Sequence, residues 1–135
     1  MLTLTILRAV TISAIAIASS ALVAAEEPET VMITLRARPG VEQALAKVIA
    51  RHYDTARRLE MLREDAPHVT LQGADENARP FFVEILTWRD AAAPDQAPRE
   101  ILAIWKELNE LVEARGGRPG LDIVAMRPVA AAAAK

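Results

Sequence analysis

Hydrophobic and polar residues alternate over residues 31–40, "VMITLRARPG", and the alternation ends at Pro39-Gly40. Strict alternation closed by a Pro-Gly turn predicts a β-strand. From residue 41 to about residue 62 the apolar positions recur instead at helical spacing, which predicts an amphipathic helix. The stretch "EDAP" ends this helix, because the residue before Pro67 is disfavoured in the helical region.

Alternation returns at residues 68–73, "HVTLQG", and at residues 81–90, "FFVEILTWRD". The turn-forming link "GADENARP" between them predicts a hairpin with a long loop. Helical spacing over residues 99–115 predicts a second amphipathic helix, with Gly116-Gly117 as its left-handed stop. Residues 121–129, "LDIVAMRPV", complete the pattern as a last strand.

The predicted order of elements is βαββαβ. Two interleaved strand–helix–strand units with right-handed crossovers form a four-stranded antiparallel sheet with both helices on one face. The sequence therefore predicts an α+β, ferredoxin-like domain. His52 falls within the apolar stripe of the first helix and Trp105 within that of the second, so both are interpreted as core residues.

Strand alternation divides the sheet residues between two faces. The set expected beneath the helices is Val31, Ile33, Leu35, Val69, Leu71, Phe81, Val83 and Ile85. The set expected on the other face is Met32, Thr34, Arg36, His68, Thr70, Gln72, Phe82, Glu84, Leu86 and Trp88. The large apolar members of this second set would form an extensive exposed patch. We therefore expect a homodimer, sheet against sheet, with Trp88 in the enclosed space between the sheets.

The first 25 residues differ in composition from the rest of the chain. One charge, Arg8, precedes an apolar run that ends in Val23-Ala24-Ala25, followed by "EEPE". This pattern predicts a signal peptide over residues 1–25, with cleavage before Glu26, while an uncleaved anchor is the alternative. The domain then spans residues 26–129, and residues 130–135, "AAAAAK", form a disordered tail. The predicted location is periplasmic or secreted, with the membrane contacted only transiently through the signal peptide.

Composition excludes several classes of function. The chain has no Cys, so disulfides and thiol chemistry are excluded. Its formal net charge is −2 and its arginines are scattered, so nucleic-acid binding has no electrostatic support. The two histidines are 16 residues apart on different elements and predict no metal site.

Three stretches resemble one known family: "RPG" at the first strand–helix junction, "FVEILTWRDAAA", and "AIWKELNELVEARGGRPGLDIVAMRPV". Over residues 30–129 the chain resembles the antibiotic-biosynthesis-monooxygenase type of dimeric α/β-barrel. The resemblance implies the ferredoxin-like fold, dimerisation and a range of chemistries that includes cofactor-independent oxygenation. Haem-degrading relatives place an iron-ligating His after the third-strand Trp, where "AAAPDQAPREI" has none. They also use an Asn on the first strand, where this chain has Thr34 and Arg36 instead. No cofactor is therefore expected.

Five residues of the second sheet face are candidates for chemistry. His68 and Arg36 are the predicted catalytic residues, as a base or proton shuttle and as a stabiliser of developing negative charge. Trp88, Glu84 and Thr34 are the predicted substrate-binding residues. For each residue a structural role stays open: His68 at the dimer interface, Arg36 and Glu84 as an ion pair, Trp88 as packing.

Two functions remain open at this point. The first is a monooxygenase-like enzyme that acts without cofactor on a small aromatic or quinol compound. The second is a non-catalytic module of the cell envelope that binds a small ligand or only dimerises.

Overall fold

The computed structural model describes residues 27–129, and the signal-peptide and tail predictions lie outside these residues. Four strands are present: β1 (Glu29–Arg36), β2 (Val69–Ala74), β3 (Pro80–Trp88) and β4 (Leu121–Met126). Two helices lie between them, α1 (Glu42–Arg58) and α2 (Arg99–Leu111), with a single 3-10 turn (Pro94–Gln96) before α2. The strands form one antiparallel sheet in the order β2-β3-β1-β4. The predicted ferredoxin-like βαββαβ fold is therefore confirmed.

Both helices bury one stripe against the same face of the sheet, here called the inner face. In α1 the stripe contains Leu45, Ile49 and Ala56, and in α2 it contains Ile101 and Leu108. Each helix is polar on its other side, so it can cover only one surface. The hydrophobic core consequently lies in a single layer between the helices and the inner face.

The second helix is shorter than predicted, and the two glycines serve a different turn. Helix α2 ends at Leu111, because Val112 is extended and pairs with Ala37 of the first strand region. Gly116 and Gly117 have φ values of 56° and 77° and form a tight turn between Arg115 and Arg118. Glycine adopts these left-handed conformations without a side-chain penalty. The predicted helix stop was therefore wrong in position.

The register of the sheet keeps the predicted face assignment on β1 and reverses it on β2 and β3. On β1, Val31, Ile33 and Leu35 do face the helices, as predicted. Directly opposite them on β3 stand Leu86, Glu84 and Phe82, so these residues and Trp88 also lie on the inner face. The residues of β3 and β2 that were expected beneath the helices lie on the outer face: Val69, Leu71, Phe81, Val83 and Ile85.

The prediction failed on β3 because both of its faces are apolar. Alternation then yields two apolar sets, and only pairing with β1 determines which set meets the helices. Trp88 is 5% exposed and packs beneath the helices, so the expectation that it lies between two sheets was wrong.

The outer face retains an apolar surface, although with different members from those expected. Its apolar residues are Met32, Val69, Leu71, Phe81, Val83, Ile85, Val124 and Met126. Four of these are exposed in the single chain: Val69, Leu71, Val124 and Met126. A contiguous surface of this kind is typical of an interface.

Candidate functional site

Four polar side chains from four different segments form a hydrogen-bonded chain at the core. The indole N–H of Trp105 donates to Nε2 of His52 at 3.0 Å. Nδ1 of His52 lies 3.3 Å from Oε1 of Glu84. The other oxygen, Oε2, lies 3.1 Å from Nε2 of His68. The carboxylate of Glu84 thus stands between two imidazoles.

The donor and acceptor roles in this hydrogen-bonded chain follow from Trp105, its first member. An indole nitrogen can only donate, so Nε2 of His52 must accept from Trp105 and cannot carry a proton. The ring proton of His52 is therefore assigned to Nδ1, where it donates to Glu84. Trp105 in this way fixes the tautomer of His52, and His52 directs a donor at the carboxylate.

Ordinary secondary structure places each member of the chain. His52 lies in the middle of the buried stripe of α1, and Glu84 points inward from the central strand β3. His68 directly precedes β2, and Trp105 lies at the half-buried edge of the α2 stripe. Both helices, β3 and the segment before β2 therefore each contribute one side chain to the hydrogen-bonded chain.

Burial divides the hydrogen-bonded chain into a deep part and a part that reaches the surface. The side chains of His52 and Glu84 are each 2% exposed, whereas that of His68 is 23% exposed. The ring of Tyr53 stacks on His68 with a centroid distance of 3.5 Å and an interplanar angle of 6°. His68 therefore connects the buried carboxylate with solvent, and Tyr53 holds its ring in place.

A cavity of about 490 Å³ lies between the inner face of the sheet and α2. Its polar wall contains His52 and Glu84, and its aromatic wall contains Trp88 and Trp105. The two indoles meet edge to face at 75°, with centroids 6.4 Å apart. A volume in this range suits a small ligand of one to three rings. His68 does not line this cavity and approaches Glu84 from the other side.

The structure brings together three of the five predicted site residues. His68, Glu84 and Trp88 all lie on the inner side of the sheet, with His68 and Glu84 in direct contact. Arg36 and Thr34 lie on the outer face, because Arg36 pairs with Phe81 and Thr34 with Val83. The prediction that Arg36 shares a face with Glu84 was therefore wrong. The predicted alternation of inner and outer residues was correct on β1 and inverted on β3.

Arg36 has a local structural contact instead. Its Nη1 donates to the carbonyl oxygen of Pro119 at 2.6 Å, ahead of β4. No ion pair joins Arg36 to Glu84 in the part of the chain that the structure describes. Arg36 and Thr34 thus have no contact with the cavity.

Sequence reasoning missed His52 and Trp105 as members of the site. Both were placed correctly on the apolar stripes of their helices and interpreted as packing residues. The available signal was a pair of buried polar groups, His52 on a helix stripe and Glu84 on a central strand. A buried polar group requires a partner, so two of them facing one layer predict a contact.

Two further features are absent from residues 27–129. None of the described helices is both long and apolar enough to span a bilayer. Over the same residues, no three or more His, Asp or Glu side chains are arranged as metal ligands.

Solved structures similar to this chain share its architecture at low sequence identity. SnoaB, a cofactor-independent oxygenase from Streptomyces nogalater, solved in mutant form, has a TM-score of 0.58 and 16% identity over 79% of this chain and 98% of its own. PA3566 from Pseudomonas aeruginosa has a TM-score of 0.56 and 21% identity over 78% of this chain and 98% of its own.

A third structure, described as an antibiotic biosynthesis monooxygenase, has a TM-score of 0.56 and 16% identity over 76% of this chain and 99% of its own. No protein-family model matches the sequence, and no curated protein matches it either. At these identities the likeness establishes the fold. The chain therefore has the ferredoxin-like fold of proteins described as antibiotic biosynthesis monooxygenases.

Proposed function

We propose that the protein oxygenates a small planar phenol or quinol, without a cofactor, in the cavity between the sheet and α2. The observation that carries this proposal is Glu84, a buried carboxylate on the wall of an otherwise largely apolar cavity, held by two imidazoles. The similar fold of SnoaB, described as a cofactor-independent oxygenase, supports the same class of reaction. The sequence-based hypothesis is retained, but its location moves from between two sheets to within one chain.

In this proposal Glu84 acts as the general base. It accepts a proton from the substrate, and the substrate anion transfers one electron to O2. The substrate radical and superoxide combine to form a peroxide at a ring carbon that still carries one hydrogen, and the peroxide oxygen takes up the removed proton. Loss of water then leaves a carbonyl group. One O2 is consumed, with one oxygen atom in the product and the other in water.

The surroundings of Glu84 suit this role in two ways. Trp88 and Trp105 provide flat apolar walls on which an aromatic ring can stack. His68 touches Glu84 from the solvent side, so it can exchange the proton with bulk water. The predicted role of His68 as a proton shuttle is kept, and the base in contact with substrate becomes Glu84.

A non-catalytic ligand-binding module is the second candidate function. One observation favours it: both nitrogens of His52 and both oxygens of Glu84 already have protein partners. A hydrogen-bonded chain that is complete without ligand can stabilise the core in the absence of any reaction. Binding without turnover would then be the whole function.

The test is oxygen consumption with anthrone, the keto tautomer of a planar phenol, whose acidic hydrogen lies on the ring carbon to be oxygenated. We expect Glu84→Gln to lower kcat about 10²- to 10⁴-fold, the usual contribution of a general base. Glu76→Gln makes the same carboxylate-to-amide change on an exposed turn and serves as the matched control. Equal rates for the wild type and Glu84→Gln would refute catalysis by Glu84. Binding of anthrone without oxygen uptake would favour the second function.

We also propose that a second copy of the chain covers the outer face, as a homodimer. The four exposed apolar residues of that face support this assembly.

Export to the periplasm or outside the cell, with the mature chain beginning at Glu26, is proposed from the sequence alone. The intact mass of exported protein tests it: a mass that still includes Met1 would contradict cleavage.

A further inference from the structure

The cavity is lined by charges of one sign. Three carboxylates contribute to it, Glu29, Glu84 and Asp95, and no Lys or Arg among residues 27–129 does. Glu84 is buried, Glu29 is half-buried and Asp95 is exposed, so the last two lie towards the mouth. Two arginines, Arg63 and Arg127, line a separate groove that adjoins the cavity at Glu29. The cavity itself therefore presents negative charge from its mouth to its interior.

None of these carboxylates has a Lys or Arg partner within the described residues. Arg63 forms its ion pair with Asp65, and Glu84 has the two histidines as its side-chain partners. Like charges repel more strongly where burial lowers the effective dielectric constant. An anionic ligand in this cavity would meet three carboxylates without an opposing fixed cation.

The aromatic walls favour the opposite charge. Trp88 and Trp105 both line the cavity, and they stand at 75° to each other, so their ring faces point in different directions. An indole face attracts a cation within about 6 Å through its quadrupole. Carboxylates combined with tryptophan faces are thus suited to an organic ammonium group.

Building on the proposed function, we propose that the ligand of the cavity is a phenol that carries an ammonium group. Its hydroxyl group lies at Glu84 and its ammonium group lies near the mouth, at Glu29 and Asp95. Along β1, Glu29 is four residues from Ile33, the residue paired with Glu84. Four residues of strand span roughly 13 Å, and an extended arylethylamine with a hydrogen bond of about 3 Å at each end covers a separation of this order.

Three probes of similar shape and different charge test this proposal: tyramine, 4-propylphenol and 3-(4-hydroxyphenyl)propionate. They are respectively cationic, neutral and anionic at neutral pH. The whole sequence has two tryptophans and both line the cavity, so quenching of tryptophan fluorescence reports binding there. We expect tyramine to bind about three- to thirtyfold more tightly than 4-propylphenol, from one exposed ion pair and one cation–π contact. The propionate should bind most weakly.

A charge reversal at the mouth sharpens the test. Asp95→Lys should weaken the binding of tyramine and strengthen the binding of the propionate. The affinity for 4-propylphenol should change less than about twofold, because the reversed charge acts only on charged ligands. Asp54→Lys makes the same change on the exposed side of α1, away from the cavity, and is the matched control. Its effect should be small, since charges more than about 10 Å apart are screened by salt.

The outcomes separate this inference from the proposed function. Equal affinity for tyramine and 4-propylphenol, or tighter binding of the propionate, overturns the ammonium specificity. If anthrone turnover still depends on Glu84 in that case, the proposed function stands. No quenching by any of the three probes also overturns the inference.

Discussion

At the scale of single residues, the central feature is the buried chain from Trp105 through His52 and Glu84 to His68. Within residues 27–129, no buried side-chain nitrogen or oxygen is left without a hydrogen-bond partner. A buried polar group that loses its partner costs more free energy than the hydrogen bond itself contributes. The two histidines should therefore differ in their contributions to stability, because they differ in burial.

We expect His52→Leu to destabilise the protein more than His68→Leu does. The first change leaves the indole N–H of Trp105 without an acceptor and removes one donor from Glu84, at about 1–3 kcal/mol for each unsatisfied group. The second removes one donor from Glu84 at a site that solvent can reach. Urea unfolding followed by circular dichroism measures both, and an equal loss would contradict the different roles.

Asp75 should contribute to the dependence of stability on pH. The backbone N–H of Arg79 is the largest cause that holds the pKa of the Asp75 carboxyl below its usual range; desolvation partly opposes it. The N–H of Asn77 and the Arg115 side chain lower this pKa further. Because the folded pKa is the lower one, the stabilisation is present above the unfolded pKa of about 3.9 and is lost as the pH falls through the folded pKa.

Asp75→Asn tests this dependence, because the amide has a similar shape and does not titrate. Its free energy of unfolding should fall less steeply below about pH 4 than that of the wild type. Glu76→Gln, on the neighbouring exposed position, should retain the wild-type slope. Identical slopes for Asp75→Asn and the wild type would contradict the assignment.

At the scale of elements, β3 determines both surfaces of the molecule. Its even-numbered residues from Phe82 to Trp88 pack under the helices, and Glu84 and Trp88 among them line the cavity. Its odd-numbered residues belong to the outer face. Because side chains alternate along a strand, neighbouring residues of β3 should respond to the same substitution in different ways.

Ile85→Arg and Leu86→Arg form a matched pair for this purpose. Leu86 is 1% exposed beneath the helices, so an arginine there would bury an unpaired charge and should unfold the chain. Ile85 is half-buried on the outer face, so the same change should leave a folded chain that does not form the proposed dimer. Circular dichroism with sedimentation measures both outcomes. A folded Leu86→Arg together with an unfolded Ile85→Arg would contradict the observed register.

At the scale of the whole molecule, the proposed chemistry and the proposed assembly use opposite faces of the sheet. The helices pack on the inner face and border the cavity, whereas the outer face presents an apolar surface with four exposed members. The cavity lies within one chain, so a dimer through the outer face would place two cavities on opposite sides of the paired sheets. Chemistry and assembly are thus separable by mutation.

The proposed dimer should make thermal stability depend on concentration. Association stabilises the folded state by mass action, so Tm should rise with protein concentration in the wild type. Ile85→Arg should have a lower Tm that does not change with concentration. Light scattering at the same concentrations reports the assembly directly. A wild type that stays monomeric at micromolar concentration, with a constant Tm, would exclude the dimer.

Much of the fold could be predicted from the sequence, because periodicity is a local property of the chain. The alternation of residues 31–36 and the helical spacing that places His52 on its stripe both predict the observed elements. Element boundaries were less accurate, since α2 ends at Leu111, where Val112 pairs with Ala37. That pairing is a contact between distant segments and has no local signal.

The sequence by itself determined the elements, their order and the presence of apolar residues on both faces of β3. Only the tertiary structure decided which face of β3 meets the helices, because the phase of one strand depends on its pairing with another. That single choice placed Glu84 with His52 and separated it from Arg36, whereas alternation alone already placed His68 and Glu84 on one face. A site assembled from four segments depends on this register, and the register is a property of the packed sheet rather than of any one strand.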